Sequence, residues 1–313
     1  MTPLKIVLLG GTGFVGRALV RRLAAQGHEL KVLSRNLATH PDRLLPPDVQ
    51  LRQLDVYDAE CLREAFLGAD VVINLVGILN EAGDSGRGFE HAHVDLTRAV
   101  VAACHAADVR RLLQMSSLNA GRGNSHYLKS RGDAEAVVKQ SGLLWTVFEP
   151  SVIFGVGDGL FDRFATLLKR LPIIPLACAQ ARFAPVYIGD VVHAFTNALG
   201  DDKSIGEVYE LYGPEVFSLK QIVQMSARQL GLSRLVLPLP SFLGRVHAFV
   251  CDFIPGKPFS SDNFRSLQTD SVGGIDGLHR LGIDATPVAQ VLPEILGHGD
   301  DKQARLGRYR AMR

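Results

Sequence analysis

Along the first half of the chain, short uninterrupted apolar runs alternate with stretches whose apolar positions recur every three to four residues. Ile6-Val7-Leu8-Leu9 is aliphatic throughout, the pattern of a central parallel strand buried on both faces. Phe14 to Ala25 has the helical period, and Gly27 follows as its stop signal. Further strands are predicted over Glu29 to Leu33, Gln50 to Leu54, Asp70 to Leu75, Arg111 to Met115 and Trp145 to Phe148. Helices are predicted over Ala59 to Leu67, Phe89 to Ala106 and Ser130 to Lys139. Strand and helix in alternation predict an α/β, doubly wound parallel sheet. The polar, glycine-rich stretch from Asn80 to Gly88 is expected to be a mobile loop over the strand ends.

Beyond Pro150 the rhythm changes. A helix over Phe161 to Lys169 runs into Leu171-Pro172-Ile173-Ile174-Pro175, which cannot be a regular helix. Asp190 is expected to cap a helix over Val191 to Leu199, and Glu207 to Tyr212 reads as a late strand. Ser218 is expected to cap Leu219 to Leu230; Leu235 to Pro238 and an apolar helix from Phe242 to Phe253 follow, broken by Pro255-Gly256. This divides the chain into a domain over 1–150, completed by roughly 184–213. A smaller C-terminal α/β domain for a substrate or partner takes 151–183 and 214–313.

Composition narrows the class. The apolar fraction of 47% and charged fraction of 21% suit a soluble globular chain. A net charge of +2, without a basic stripe, argues against a nucleic-acid partner. No run approaches the ~20 apolar residues of a membrane span. The first strand begins so early that no room is left for a signal peptide. Cys61, Cys104, Cys178 and Cys251 are far apart in apolar contexts, which favours reduced thiols and a cytoplasmic location over disulfides or metal ligation. The tail after Asp301 is basic and is expected to be frayed or partner-bound.

The chemistry begins where the first strand ends. Gly10, Gly13 and Gly16 are spaced G-x-x-G-x-x-G, with Thr12 in the turn and Phe14 and Val15 opening the helix. A strand, a glycine turn and a helix N-terminus make an anion site: backbone approaches a pyrophosphate, and unpaired N–H groups and the helix dipole hold it. About 20 residues on, an NAD site wants an acid for the ribose 2′-hydroxyl. The second strand instead ends in Ser34-Arg35-Asn36, and a guanidinium suits a 2′-phosphate, so NADP(H) is favoured over NAD(H); a solvent-facing Arg35 is the alternative. Asp55, beside Val56, can accept from an adenine amino group or serve as a helix cap. Val76 and Gly77 fall at the crevice beside the cofactor. His91 and His93, two apart on a helix, face different ways, and no metal site is expected.

The stretches Gly10 to Gly16, Asp55-Val56, Val72 to Gly77, Ser116-Ser117, Tyr127 and Pro185 to Val191 resemble the extended and atypical short-chain dehydrogenase/reductase superfamily, whose fold is the Rossmann type. Ser117 to Ala120, Tyr127 to Ser130, Pro150 to Gly155 and Pro255 to Pro258 with Ser261-Asp262-Asn263 are similar to the nucleotide-binding accessory subunit of respiratory complex I and its bacterial relatives. In catalytic members of the superfamily a Tyr-x-x-x-Lys pair works with a Ser or Thr: the lysine lowers the tyrosine pKa and holds the ribose, and the tyrosine exchanges the proton. The resemblance maps these roles onto Tyr127, Arg131 and Ser117, and sets Pro150 beside the cofactor. Arginine keeps the charge without an ammonium's geometry. Leu118 stands where a hydroxyl is usual, His93 where an asparagine is frequent, and Glu149 where relatives carry arginine.

These departures imply an NAD(P)H-binding protein with little or no turnover, and the resemblance implies a respiratory-chain or quinone-related accessory role. The alternative is an active NADP-dependent reductase, epimerase or dehydratase acting on a hydrophobic or quinone-like substrate, its pocket lined by Ile173, Ile174, Phe242 and Phe249. A redox sensor using the same pocket is more distant. The apolar helix and basic tail suit a respiratory-complex partner or peripheral contact at the inner face of the membrane, a core helix and solvated terminus being the plainer alternative.

Overall fold

The computed structural model describes residues 2–36, 45–157, 159–255 and 257–297. Most of the stretch from His40 to Pro47, which its prolines mark as a loop, lies outside the described residues, as do Gly256 and the basic tail.

Seven strands, β1 (Lys5–Leu9), β2 (Glu29–Ser34), β3 (Gln50–Gln53), β4 (Val71–Asn74), β5 (Arg111–Met115), β6 (Leu144–Pro150) and β7 (Glu207–Leu211), form one sheet. Their order is β7-β6-β5-β4-β1-β2-β3, and every pairing is parallel. The apolar runs are uninterrupted because both faces are covered. Ile6 and Leu8 pack toward α1 (Phe14–Ala25) and the Ile188–Leu199 helix. Val7 and Leu9 pack toward α2 (Ala59–Phe66), α3 (Leu96–Ala106) and α4 (His126–Lys139). Truncating such a leucine to alanine costs about 2–5 kcal/mol. The strand order reverses between β1 and β4, which opens a crevice at the C-terminal ends of the strands.

A third apolar cluster gathers Phe154, Phe161, Leu168, Ile174, Ile222 and Leu292 from the later segments. The proline-rich run becomes a strand, Ile173–Leu176, paired in parallel with Leu235–Pro238. Among the described residues no helix is long and apolar enough to cross a membrane.

Three local expectations are corrected. Asp190 is not a cap: the helix starts at Ile188, and Asp190, buried in its first turn, accepts from the Thr286 N–H at 2.7 Å and hydroxyl at 2.9 Å. The helix expected at Ser130 starts at His126, because the Ser125 hydroxyl accepts from the Leu128 N–H at 3.0 Å. The single helix expected over Phe89 to Ala106 has a π-helical stretch, Glu90–Asp95, ahead of α3. Such bulges concentrate at functional sites.

Candidate functional site

The Gly10–Gly16 turn is shaped by what it excludes. Gly10 has φ +76°, and a Cβ on Gly16 would lie 2.2 Å from the Gly10 carbonyl oxygen and 2.6 Å from Gly11 Cα. Helix α1 therefore seats directly on the turn. The Gly13 N–H donates to Gly10 O at 3.0 Å, and Arg17 Nη1 donates to Thr12 O at 2.8 Å. Gly13 caps α1 without a side-chain hydrogen bond, and the first turn of α1, with Phe14, Val15 and Gly16, carries no acid. The first N–H groups of a helix have no intrahelical acceptor, so this end is free to take an anion.

On one flank, Arg35 is exposed just past β2, and Asp55 and Val56 follow β3. Asp55 Oδ1 accepts from the Tyr57 N–H at 3.0 Å, while Asp58 caps α2 through Oδ1, so capping is not Asp55's role. Tyr57 stacks on His91 with ring centroids 4.0 Å apart, and its hydroxyl donates to His91 O at 3.1 Å. Burial pushes the Tyr57 phenol up, and the Arg35 charge opposes it. The stack was not legible from sequence.

On the other flank, β4 ends at buried Asn74, which accepts from the Val76 N–H at 3.1 Å and donates to Gln114 at 3.0 Å. Val76 and Gly77 follow. Arg131 on α4 turns its guanidinium onto this strand end: Nη1 donates to Met115 O at 3.1 Å and Val76 O at 3.3 Å. A Cβ on Gly77 would meet Arg131 Nη2 at 1.8 Å, so the guanidinium occupies that space. Arg131 is 6% exposed, and its carbon Cζ lies 5.5 Å from the Tyr127 ring centroid.

Beside it, buried His93 accepts at Nε2 from the Ile78 N–H at 3.1 Å, and its Nδ1 faces Ser130 Oγ at 2.8 Å. The Ser130 hydroxyl donates to Tyr127 O at 2.9 Å. Its proton is thus committed, so the imidazole donates from Nδ1 and is neutral. Burial, reinforced by the Arg131 charge, drives His93 down to about 2. His93 and Ser130 clamp the strand end to α4, a function that its histidine type alone did not disclose.

The two serines after β5 part company. Ser116 Oγ donates to Glu135 at 2.5 Å, and Lys139 holds the other Glu135 oxygen at 2.7 Å. Ser117 Oγ is buried with no hydrogen-bond partner. Pro150 closes β6 and accepts from the Leu118 N–H at 2.9 Å. Burial, then the neighbouring Glu135 carboxyl, pushes Glu149 up to about 8.

Tyr127 is fixed from outside the sheet. Asp262 accepts from the His126 N–H at 2.7 Å and the Tyr127 N–H at 3.1 Å, and so caps α4. Arg265 binds both Asp262 and Asp84. Lys257 Nζ donates to Gly83 O at 2.6 Å, and Asn263 to Leu79 O at 3.1 Å. Glu81 accepts from the Gly86 and Gly88 N–H groups at 2.5 and 2.6 Å. The loop expected to be mobile is strapped down by these contacts. Asp84, His126 and Asp262 lie within metal-ligating distance of one another, and Arg265 is paired with both carboxylates.

Glycine turn, strand ends, Ser117, Tyr127 and Arg131 all converge on the C-terminal edge of the sheet. The uncapped helix, the turn that admits no Cβ and the orphaned Ser117 hydroxyl and Arg131 Nε fit a dinucleotide laid across the crevice. The expected apolar pocket does not form: Ile174 is packed into the third cluster, whereas Ile173, Phe242 and Phe249 are exposed.

Residues 10–156 match the model of an NAD(P)H-binding family. The chain is 29% identical over 298 residues, 90% of its length and 73% of the relative's, to "NADH dehydrogenase [ubiquinone] 1 alpha subcomplex subunit 9, mitochondrial" of Arabidopsis thaliana. It is 32% identical over 191 residues, 59% of its length and 57% of the relative's, to a ceramide reductase of Caulobacter vibrioides. In fold it matches dTDP-glucose 4,6-dehydratase of Streptomyces venezuelae, solved with NAD, at TM-score 0.73 and 17% identity, over 99% of this chain and 100% of that one.

Proposed function

We propose that this chain, a member of the atypical short-chain dehydrogenase/reductase family of NAD(P)H-binding proteins, holds NADP(H) as an accessory subunit of a respiratory, quinone-handling complex, with little or no turnover. It would sit peripherally at the inner, cytoplasmic face of the membrane. Gly10, Thr12, Gly13 and the N–H groups of Phe14, Val15 and Gly16 would hold the pyrophosphate. Asp55 and Val56 would face the adenine, Arg35 a 2′-phosphate, and Val76, Gly77, Pro150 and Ser117 the nicotinamide side. When bound, the nicotinamide supplies hydride chemistry.

Arg131 carries this conclusion. A proton relay through Tyr127 calls for a cation that lowers the phenol and can be desolvated beside the ribose. Arg131 stays protonated, and its Nη1 is committed to the carbonyls of Val76 and Met115. It braces the ends of β4 and β5 instead of reaching outward. The adjacent imidazole, His93, is held neutral and fully hydrogen-bonded, so it offers no alternative base.

The second reading, a reductase, epimerase or dehydratase for a hydrophobic or quinone-like substrate, is favoured by the unpartnered Ser117 hydroxyl and by the reductase among the relatives. One experiment separates the two. Protein purified without added nucleotide should retain NADPH, identified by mass, at close to one per chain, and should oxidise it at background rate with carbonyl and quinone acceptors. Turnover that Tyr127→Phe abolishes would establish the enzyme and overturn the accessory role.

A further inference from the structure

The Ser241–Cys251 helix is built inside out. Its small residues Gly244, Ala248 and Cys251 face the protein, where a Cβ on Gly244 would lie 3.2 Å from both Ala177 Cβ and Phe264. Its large apolar residues face outward. Phe242, Leu243, Val246, Phe249 and Val250, continued by Phe253, are exposed, Phe242 and Phe253 by 74% and 76%. At about 100° per residue these positions fill one arc of about 120°. Arg245 and His247 fall on either side of that arc. The ribbon that leads into the helix continues the surface: Ile173 and Leu235, register partners, and Leu237 are exposed as well.

Charge identifies what covers this face. Residues 163–189 hold four Lys or Arg and no Asp or Glu, and so do residues 216–251. The rest of the chain is net acidic, with 26 Lys or Arg against 32 Asp or Glu. A protein partner or a second copy would need only a matching apolar face. An apolar stripe carried by two basic segments, with Asp252 at the helix end paired to Lys257, matches an anionic lipid surface, where apolar insertion and attraction to headgroups add. Eleven residues span about 16 Å, too short to cross a bilayer, so the helix lies in the plane of the interface.

We propose that this helix docks the protein on an anionic phospholipid bilayer. The proposal deepens the membrane-peripheral part of the function above but rests on none of its nucleotide contacts. The full chain, loaded with NADPH, is sedimented with phosphatidylcholine vesicles with and without one-third phosphatidylglycerol. Binding should be at least tenfold tighter to the anionic vesicles, and should weaken severalfold in 0.5 M salt, where the Debye length falls to a few Å (about 3 Å at 1 M). Phe249→Glu with Phe253→Glu should reduce vesicle binding more than tenfold, with bound NADPH and thermal midpoint unchanged. Phe249→Leu should retain most of it.

Wild-type protein that keeps NADPH but ignores both vesicle types would overturn the proposal and leave the nucleotide role standing. So would a stable dimer in lipid-free solution that Phe249→Glu splits, which would make the face a contact between copies. Equal binding by the charged variant would also overturn it. Vesicle binding by protein that loses NADPH on purification would support the membrane surface and count against the accessory nucleotide role.

Discussion

The two ends of the crevice treat hydrogen-bonding capacity in opposite ways. At the β1 end no side chain is spent on the N–H groups: α1 begins without a side-chain cap, and its first turn has no acid to quench them. At the β4–β5 end nearly every polar group is already taken. Arg131 holds two carbonyls, His93 holds Ile78 and Ser130, and Asn74 holds Val76 and Gln114. The first end is kept open for a ligand's phosphates; the second is rigidified by the protein's own contacts, with Ser117 Oγ and Arg131 Nε left over. A site that must bind dinucleotide needs the first. A site that must move protons needs mobile charge at the second, and there the charge is locked.

The sharpest way to break this contrast is to fill the open end. A Cβ at Gly16 would press on backbone, not on a side chain that can swing away. Gly16→Ala should therefore cost about 3 kcal/mol or more and abolish detectable NADPH binding. A thermal melt and a nucleotide titration read both effects. A variant as stable as the parent would show that α1 can lift off the turn without penalty.

How much of this was legible follows the same divide. The open end is local: apolar run, glycine spacing and helical period occupy twelve consecutive residues, Lys5 to Gly16, and local pattern suffices. The locked end is assembled from afar. That Arg131 turns inward depends on the missing Cβ of Gly77, 54 residues earlier in the chain, and that Tyr127 sits inside a helix depends on Ser125 and on Asp262 capping from the distant segment. Asp190 misled because its partner Thr286 is equally remote. The Phe242 stripe has the period of a core helix, and period alone does not say which side faces in. The small residues opposite it were the signal.

The locked end also carries two titrations of opposite sign, which sharpen the contrast without breaking the fold. His93 sits at about 2 in the native protein against an ordinary 6.5, so the unfolded chain binds the extra proton between those values. Stability contributed by neutral His93 is complete above pH 6.5 and falls as pH drops toward 2. Glu149 sits at about 8 against 4.5, so the native protein binds the extra proton, and stability falls as pH rises from 4.5 through 8. The two oppose between 4.5 and 6.5. Each slope approaches about 1.4 kcal/mol per pH unit for one proton. Denaturation of His93→Asn beside the parent should give a stability difference that is flat above pH 6.5 and shifts in the variant's favour below it. Glu149→Gln should gain on the parent from pH 4.5 to 8, by an order of a few kcal/mol. A pH-independent difference in either pair would mean that the group is not held in the protonation state assigned to it.

The smallest effect is expected at the open end's outer rim, where specificity between NADPH and NADH would be set. Arg35 is exposed, and its charge reaches the Tyr57 phenol of the ring that stacks on His91, so on the proposed binding mode a guanidinium would stand beside the adenine flank in place of the acid an NAD site uses. An exposed charge-assisted contact contributes modestly, because water and salt compete for both partners. Arg35→Ala should therefore raise the dissociation constant for NADPH about tenfold, or about 1.4 kcal/mol, and change that for NADH less than twofold. The NADPH loss should shrink in high salt, since it is electrostatic. Equal losses for the two nucleotides would remove the 2′-phosphate role and leave Arg35 as packing around the Tyr57–His91 stack. Tyr57→Leu is the complementary probe: it disrupts that stack and should weaken both nucleotides alike, so that the ratio of the two constants, rather than either constant, isolates the guanidinium.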